Sequence, residues 1–129
     1  MRIVPLLQVG NMADTLSYYQ DCLGFTADLL WPADDPKWAR VSRGDVSFML
    51  TIDLGTSSGF FIAEKGNGVV FYIETDQVVA MYEDLTMRGA IIVQDLQDWE
   101  RKQFSVADPN GYVLAFSEKF VGPPQIKLQ

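Results

Sequence analysis

The feature that most constrains this chain is an internal repeat. Strand, helix and three further strands follow one another twice, and either half alone would leave an apolar sheet face uncovered, so the two halves must share an interior. In the first half, the apolar run of residues 2–9 ends at Gly10-Asn11, where the Asn11 side chain can cap a helix. Met12, Leu16, Tyr19 and Leu23 recur at spacings of four, three and four, which puts them on one helical face, and Gly24 supplies a left-handed residue to end the helix. Phe25 to Trp31 reads as a strand and the Pro32–Pro36 cluster as a loop. Trp38–Ser42 and Val46–Ile52 read as a hairpin turning at Arg43-Gly44-Asp45.

The second half repeats the order. Gly68–Glu74 is a β-prone strand, and Asp76 can cap a helix running to about Arg88 with Val78, Val79, Tyr82 and Leu85 on its apolar side. Gly89 ends that helix. Ala90–Val93 follows as a strand, Gln94–Glu100 as a polar loop, Lys102–Ala107 as a strand, Asp108-Pro109-Asn110-Gly111 as a turn and Tyr112–Phe120 as the closing strand. Tyr19 and Asp21 recur as Tyr82 and Asp84, both 63 positions later. The expected organisation is α+β: a first βαβββ module over residues 1–53, a linker over 54–67, a second βαβββ module over 68–118 and a tail over 119–129. Together the modules would form a curved mixed sheet around a cavity. A single ferredoxin-like sandwich is the alternative.

Composition narrows the chemistry. The 129 residues include no histidine, so no imidazole base or relay can operate and the commonest zinc and iron ligand is missing. Cys22 is the single cysteine, which excludes an internal disulfide or a thiolate cluster. A late-helix thiol with no neighbouring base in sequence reads as inert. A net charge of −7 repels phosphates, so nucleic acid and anionic membrane surfaces are poor partners, and a cationic ligand suits it better. No apolar run approaches a bilayer span, and no charged-then-apolar N-terminal segment suggests export; a cytoplasmic location is expected.

Two landmarks carry a family resemblance. Val9-Gly10-Asn11-Met12 followed by Tyr18-Tyr19-Gln20-Asp21-Cys22-Leu23-Gly24-Phe25, and the later Phe104–Leu114 segment around Asp108-Pro109-Asn110-Gly111, resemble the opening and closing motifs of the vicinal oxygen chelate superfamily. That superfamily includes glyoxalase I, bleomycin-resistance proteins and extradiol dioxygenases, and the pattern here is most similar to the bleomycin-resistance-like members. Trp99, five residues before Phe104, matches a tryptophan of many such members. The resemblance spans about Arg2 to Glu118.

Metal-using members hold a divalent ion with one His or Glu from each of four strands. The resemblance carries those positions onto Val4, Met49, Gly68 and Ala115, none of which offers a suitable donor, so no metal and no cofactor are expected. Strand alternation puts Val4, Leu6, Gln8, Ser47, Thr51, Val70, Tyr72, Glu74, Val113 and Ser117 in the cavity, and turns Ile3, Leu7, Val69, Phe71, Leu114 and Phe116 toward the helices. The resemblance also puts Trp31, Trp38, Phe60, Phe61 and Trp99 around the cavity mouth. Gln8, Trp38, Met49, Tyr72 and Trp99 are therefore the candidate ligand-binding residues, suited to a planar or cationic organic molecule through stacking and cation–π contact.

The leading expectation is a metal-free small-molecule binding protein, of the kind that sequesters an antibiotic or metabolite. One alternative is a glyoxalase-like lyase, isomerase or dioxygenase with a non-standard site, for which Tyr72 and Glu74 offer an acid/base pair. The other is a binding or regulatory module. A homodimer is expected, with Phe60-Phe61-Ile62 as part of the contact.

Overall fold

A computed structural model describes residues 1–52 and 68–119. Each half builds its own four-stranded mixed sheet, and the two have the same topology. In the first, β1 (Leu6–Gln8) leads into α1 (Met12–Ser17), followed by β2 (Thr26–Trp31), β3 (Trp38–Arg43) and β4 (Val46–Thr51). The strand order is β1-β4-β3-β2, with β1 parallel to β4 and the other pairs antiparallel. In the second, β5 (Val70–Glu74), α2 (Val78–Met87), β6 (Ile91–Gln97), β7 (Gln103–Ala107) and β8 (Val113–Ser117) repeat it as β5-β8-β7-β6. The repeated βαβββ reading therefore holds. The 54–67 linker, the Phe60-Phe61-Ile62 segment and all but the first residue of the 119–129 tail lie outside the described residues.

Local chemistry explains most boundaries. The Asn11 side chain accepts a hydrogen bond from Asp14 N at 3.0 Å and so caps α1. That helix leaves α geometry at Tyr18 and continues as a π-helical turn over Tyr18–Cys22, which Gly24 ends with φ of +73°. A side chain at Gly24 would also meet the Arg43 guanidinium, since a Cβ there would lie 2.5 Å from Nη1.

Several element boundaries and contacts differ from expectation. The first strand is shorter than residues 2–9, because the Pro5 nitrogen has no proton to donate; its carbonyl still accepts from Met49 N at 2.8 Å. Asp76 does not cap α2: Gln77 is the cap residue without a side-chain bond, and Thr75 Oγ1 accepts from Gln77 N at 3.1 Å. Val79 is exposed, and Met81 takes its place beside Val78, Tyr82 and Leu85 at the core. Finally, Gln94–Gln97 is strand rather than loop, joined to β7 through two register shifts that let polar residues run along a sheet edge.

The interior lies between the sheets and the helices. Leu7, Val9, Val41, Phe48 and Leu50 face it from the first sheet, and Phe104, Val106, Leu114 and Phe116 from the second. Tyr19, Phe25, Phe48 and Phe71 form a chain of ring contacts at 5.6, 6.0 and 5.2 Å that crosses from one half to the other. Leu7, Phe71, Leu114 and Phe116 point inward as alternation requires. Ile3 and Val69 do not, because they precede β1 and β5, where no ladder fixes them, and both are exposed.

Candidate functional site

If one side of each strand faces the helices, the other is an open face. On the first sheet the register lines up Leu6, Met49, Arg40 and Leu29 in one row, and Gln8, Thr51, Trp38 and Trp31 in the next. Ala39 and Val41, which flank Arg40, are fully buried, so Trp38, Arg40 and Ser42 all project from the opposite side of β3. The structure thus brings Gln8, Trp38 and Met49 onto one face. Trp31, expected at the cavity mouth, is the cross-strand partner of Trp38 and is 70% exposed.

Beyond the tryptophans the same face is polar. A groove of about 610 Å³ is lined by Arg2, Thr26, Asp28, Leu29, Arg40, Ser42, Gly44 and Ser47. Arg40 Nη2 donates to Ser47 Oγ at 3.4 Å, the Ser42 and Ser47 hydroxyls lie 2.8 Å apart, and Ser42 donates to the Asp28 carboxylate. Arg2 Nη2 donates to the Asp45 carbonyl at 3.1 Å. Two guanidiniums and one carboxylate make this groove locally positive in a chain of net charge −7. Arg40 was not among the residues singled out from sequence, although Trp38-x-Arg40-x-Ser42 is the alternation that places it.

Tyr72 belongs to the open face of the second sheet, in the row Tyr72, Ala115, Ser105, Gln94. Gln103 Nε2 donates to the Tyr72 hydroxyl at 3.3 Å and to Gln94 Oε1 at 3.2 Å. In the next row, Glu74 pairs with Ser117 and Ser117 with Gln103; Ser117 Oγ is buried and has no hydrogen-bond partner among the described residues. Trp99 sits in the β6–β7 loop, 60% exposed, where Gln97 Nε2 donates to its carbonyl at 3.3 Å. Tyr72 therefore lies on the second face and Trp99 in the loop beyond β6, neither of them in the rows that hold Gln8, Trp38 and Met49. Gln94 and Gln103 were missed because a polar Gln94–Glu100 segment reads as loop and an amide carries no functional signature in sequence.

The donor positions implied by the resemblance can also be located. Met49 pairs with Leu6, and Ala115 with Tyr72. Gly68 lies two residues before β5, so the strand residues beside Ala115 and its neighbour Val113 are Tyr72 and Val70. A thioether, a methyl group, aliphatic side chains and one phenol do not make a set for a hard divalent ion. Among the described residues, no group of three or more His, Cys, Asp or Glu side chains is placed to hold a metal.

The densest polar network lies elsewhere, at the seam between the halves. Asp108 accepts from Asn110 N and Tyr112 N on Oδ1, at 2.8 and 3.0 Å, and from the Tyr19 hydroxyl on Oδ2 at 2.9 Å. Asn110 accepts from Gly10 N at 2.8 Å and donates to Thr15 Oγ1 at 3.0 Å, while the Tyr112 hydroxyl donates to the Gln8 carbonyl at 2.9 Å. Tyr18 donates to the Ala107 carbonyl at 2.6 Å and accepts from Ile91 N at 2.9 Å. Burial pushes the Asp108 carboxyl above its ordinary range, partly offset by these donors, and pushes the Tyr19 phenol well up, with the Asp108 charge adding to it. Every one of these groups is turned toward the seam, so the perturbed titrations here reflect cross-bracing rather than an acid/base pair aimed at a ligand.

Comparison with known proteins agrees with this geometry. The sequence profile of the Glyoxalase/Bleomycin resistance protein/Dioxygenase superfamily matches residues 2–116. Comparison with curated proteins gives no significant match. Among solved structures, the bleomycin-binding protein from bleomycin-producing Streptomyces verticillus, complexed with copper(II)-bleomycin, superposes with a TM-score of 0.66 at 19% identity, covering 93% of this chain and 97% of that one. TnmS3, an antibiotic binding protein from Streptomyces sp. CB03234, gives 0.66 at 22% identity over 92% and 96% of the two chains. A glyoxalase-related enzyme from Fulvimarina pelagi gives 0.72 at 13% identity over 92% and 88%. At these identities the likeness is one of fold.

Proposed function

The chain belongs to the Glyoxalase/Bleomycin resistance protein/Dioxygenase superfamily, and from that premise we propose that it binds and sequesters a small aromatic organic molecule without transforming it. The observation that carries the reading is the open face of the first sheet. There Trp31 and Trp38 stand as a cross-strand pair beside Leu6, Met49 and Gln8, and Trp31 and Leu6 are exposed. The exposed Trp31 indole offers stacking area that the core does not use, and Trp38, half-buried beside it, extends that platform. The donor-poor positions around Met49 and Ala115 support binding over metal-assisted chemistry, and the fold neighbours that bind bleomycin and other antibiotics make such a ligand class reasonable.

The reading includes a homodimer. Leu6 on the first open face and Val70 and Tyr72 on the second are exposed apolar or aromatic groups, and β1 and β5 are edge strands in their sheets, so a second copy has surface to cover. Light scattering at tens of micromolar should give twice the chain mass; a monomer would count against this part.

The function is tested by equilibrium dialysis against a panel of aromatic antibiotics, with the bound compound recovered and its mass measured. Saturable retention of an unaltered compound is expected, and chelator treatment should change neither retention nor melting temperature. Conversion to a product, or about one equivalent of divalent metal needed for retention, would overturn the proposal.

A further inference from the structure

The groove beside the tryptophan pair has a charge opposite to that of the chain as a whole, which sets the chemistry of the ligand that fits it. We infer that the first open face recognises an anionic aromatic molecule, a planar ring system bearing a carboxylate or phenolate, with the ring on Trp31 and Trp38 and the anion on Arg40. This deepens the binding reading above and rests on it.

Arg40 and Trp38 are on the same side of β3, two residues apart, which separates their Cα atoms by about 7 Å, the reach of a fused-ring acid. Arg40 is half-buried, and among the described residues it has no carboxylate within ion-pair distance. Its side-chain hydrogen bond, to Ser47 Oγ, is long at 3.4 Å. A guanidinium carries five donors in a planar fork, so the bond to Ser47 leaves most of the capacity of this groove-lining side chain unused. Arg43 and Arg88, by contrast, are occupied: Arg43 donates to the Leu23 carbonyl and the Asp84 carboxylate, at 2.7 and 3.0 Å, and Arg88 pairs with Asp84 at 3.1 Å.

The one acidic side chain lining the groove does not neutralise Arg40. Asp28 accepts from Ser42, and the Ser42 hydroxyl in turn lies against Ser47, so the carboxylate is held at the far end of a hydroxyl pair. Arg2 adds a second positive charge at the groove rim. A carboxylate at Arg40 would gain charge-assisted, bidentate hydrogen bonds beside a hydrophobic platform. A cation there would face two guanidiniums. The overall acidity of the chain then acts at long range, where salt screens it, and the local fork decides the sign of the ligand.

The test uses three matched probes, 2-naphthoate, 2-naphthamide and 2-naphthylmethylammonium, titrated by NMR against the full chain and against Arg40→Gln and Arg40→Lys. The parent protein should bind naphthoate at least tenfold more tightly than naphthamide, with the ammonium weakest. Arg40→Gln should erase the naphthoate preference while leaving naphthamide affinity within twofold, and Arg40→Lys should restore part of it. Amide chemical shifts report that each variant is folded. Equal binding of naphthoate and naphthamide, a preference for the ammonium, or an anion preference that survives in folded Arg40→Gln overturns the anion assignment while leaving the aromatic-binding reading intact. If none of the three probes binds the parent, the binding reading fails and the anion assignment falls with it.

Discussion

At the seam between the two halves, Asp108, Asn110, Tyr18, Tyr19 and Tyr112 make hydrogen bonds that cross from one module to the other. On the open face of the first sheet, Arg40 has a long bond to a serine, and Trp31 is largely uncovered. Both regions hold polar and aromatic side chains; they differ in how far those groups are matched by partners within the chain. Matched groups hold a fold together, because a buried donor or acceptor that loses its partner carries the full penalty of desolvation. Groups with spare capacity at an accessible surface are available to a ligand. Changes at the seam should therefore register in stability, and changes on the face in binding.

The sharpest break of that comparison is Asp108→Ala. It strips three donors, two backbone N–H groups and the Tyr19 hydroxyl, of a buried acceptor, and the cost should be roughly 4 kcal/mol. In a chain of this size that lowers the melting temperature by roughly 15 °C in calorimetry. Trp38→Ala should do the reverse, weakening an aromatic ligand by about 2 kcal/mol in titration while lowering the melting temperature by much less than Asp108→Ala does. If Trp38→Ala unfolds the chain, or binds naphthoate as the parent does, the face is structural. Trp99→Ala tests whether the second face shares the ligand, and a small loss there alone would shift the site to Tyr72 and Gln103.

The same contrast explains what could be read from the sequence. The residues that made the chain recognisable, Gly10-Asn11, Tyr18-Tyr19 and Asp108-Pro109-Asn110-Gly111, are largely those that bond to one another across the seam. Their geometry is demanding: Gly111 sits at φ of +93°, and Asn110 must both accept from Gly10 and donate to Thr15. The motif thus reports the fold. The face has no such grammar. Alternation points to Gln8 and the family resemblance to Met49 and Trp38, but Arg40 reads like any surface arginine until the register puts it between Met49 and Leu29. The π-helical turn at Tyr18 and the shifts in β6 leave no periodic trace, which is why the polar end of β6 reads as loop.

Smaller effects sharpen the comparison. Tyr19→Phe keeps the ring contacts to Phe25 and Phe48 but leaves Asp108 Oδ2 without its phenol donor, so chemical denaturation should show a loss of about 1 kcal/mol and titration no change in ligand affinity. Asp108→Asn gives a pH signature. Because burial raises the Asp108 carboxyl above its ordinary range, the folded chain holds that proton more tightly than the unfolded chain does. The associated stability is fully present below the unfolded value of about 3.9 and is lost as pH rises through the folded value. The stability difference between Asp108→Asn and the parent should therefore move in the variant's favour as pH rises above about 4, then level off. A difference independent of pH across that window would mean the carboxyl titrates there as freely as in the unfolded chain.

The most direct test of the central claim, that the first open face is the binding surface, uses the three tryptophans as reporters. Trp31, Trp38 and Trp99 are the complete set in the chain, so an ¹⁵N-labelled sample shows three indole N–H signals, assigned by replacing each residue with phenylalanine. Titration with 2-naphthoate should move the Trp31 and Trp38 signals together along one saturable curve, with Trp99 moving less. Saturable binding that leaves both of those signals in place would contradict the account.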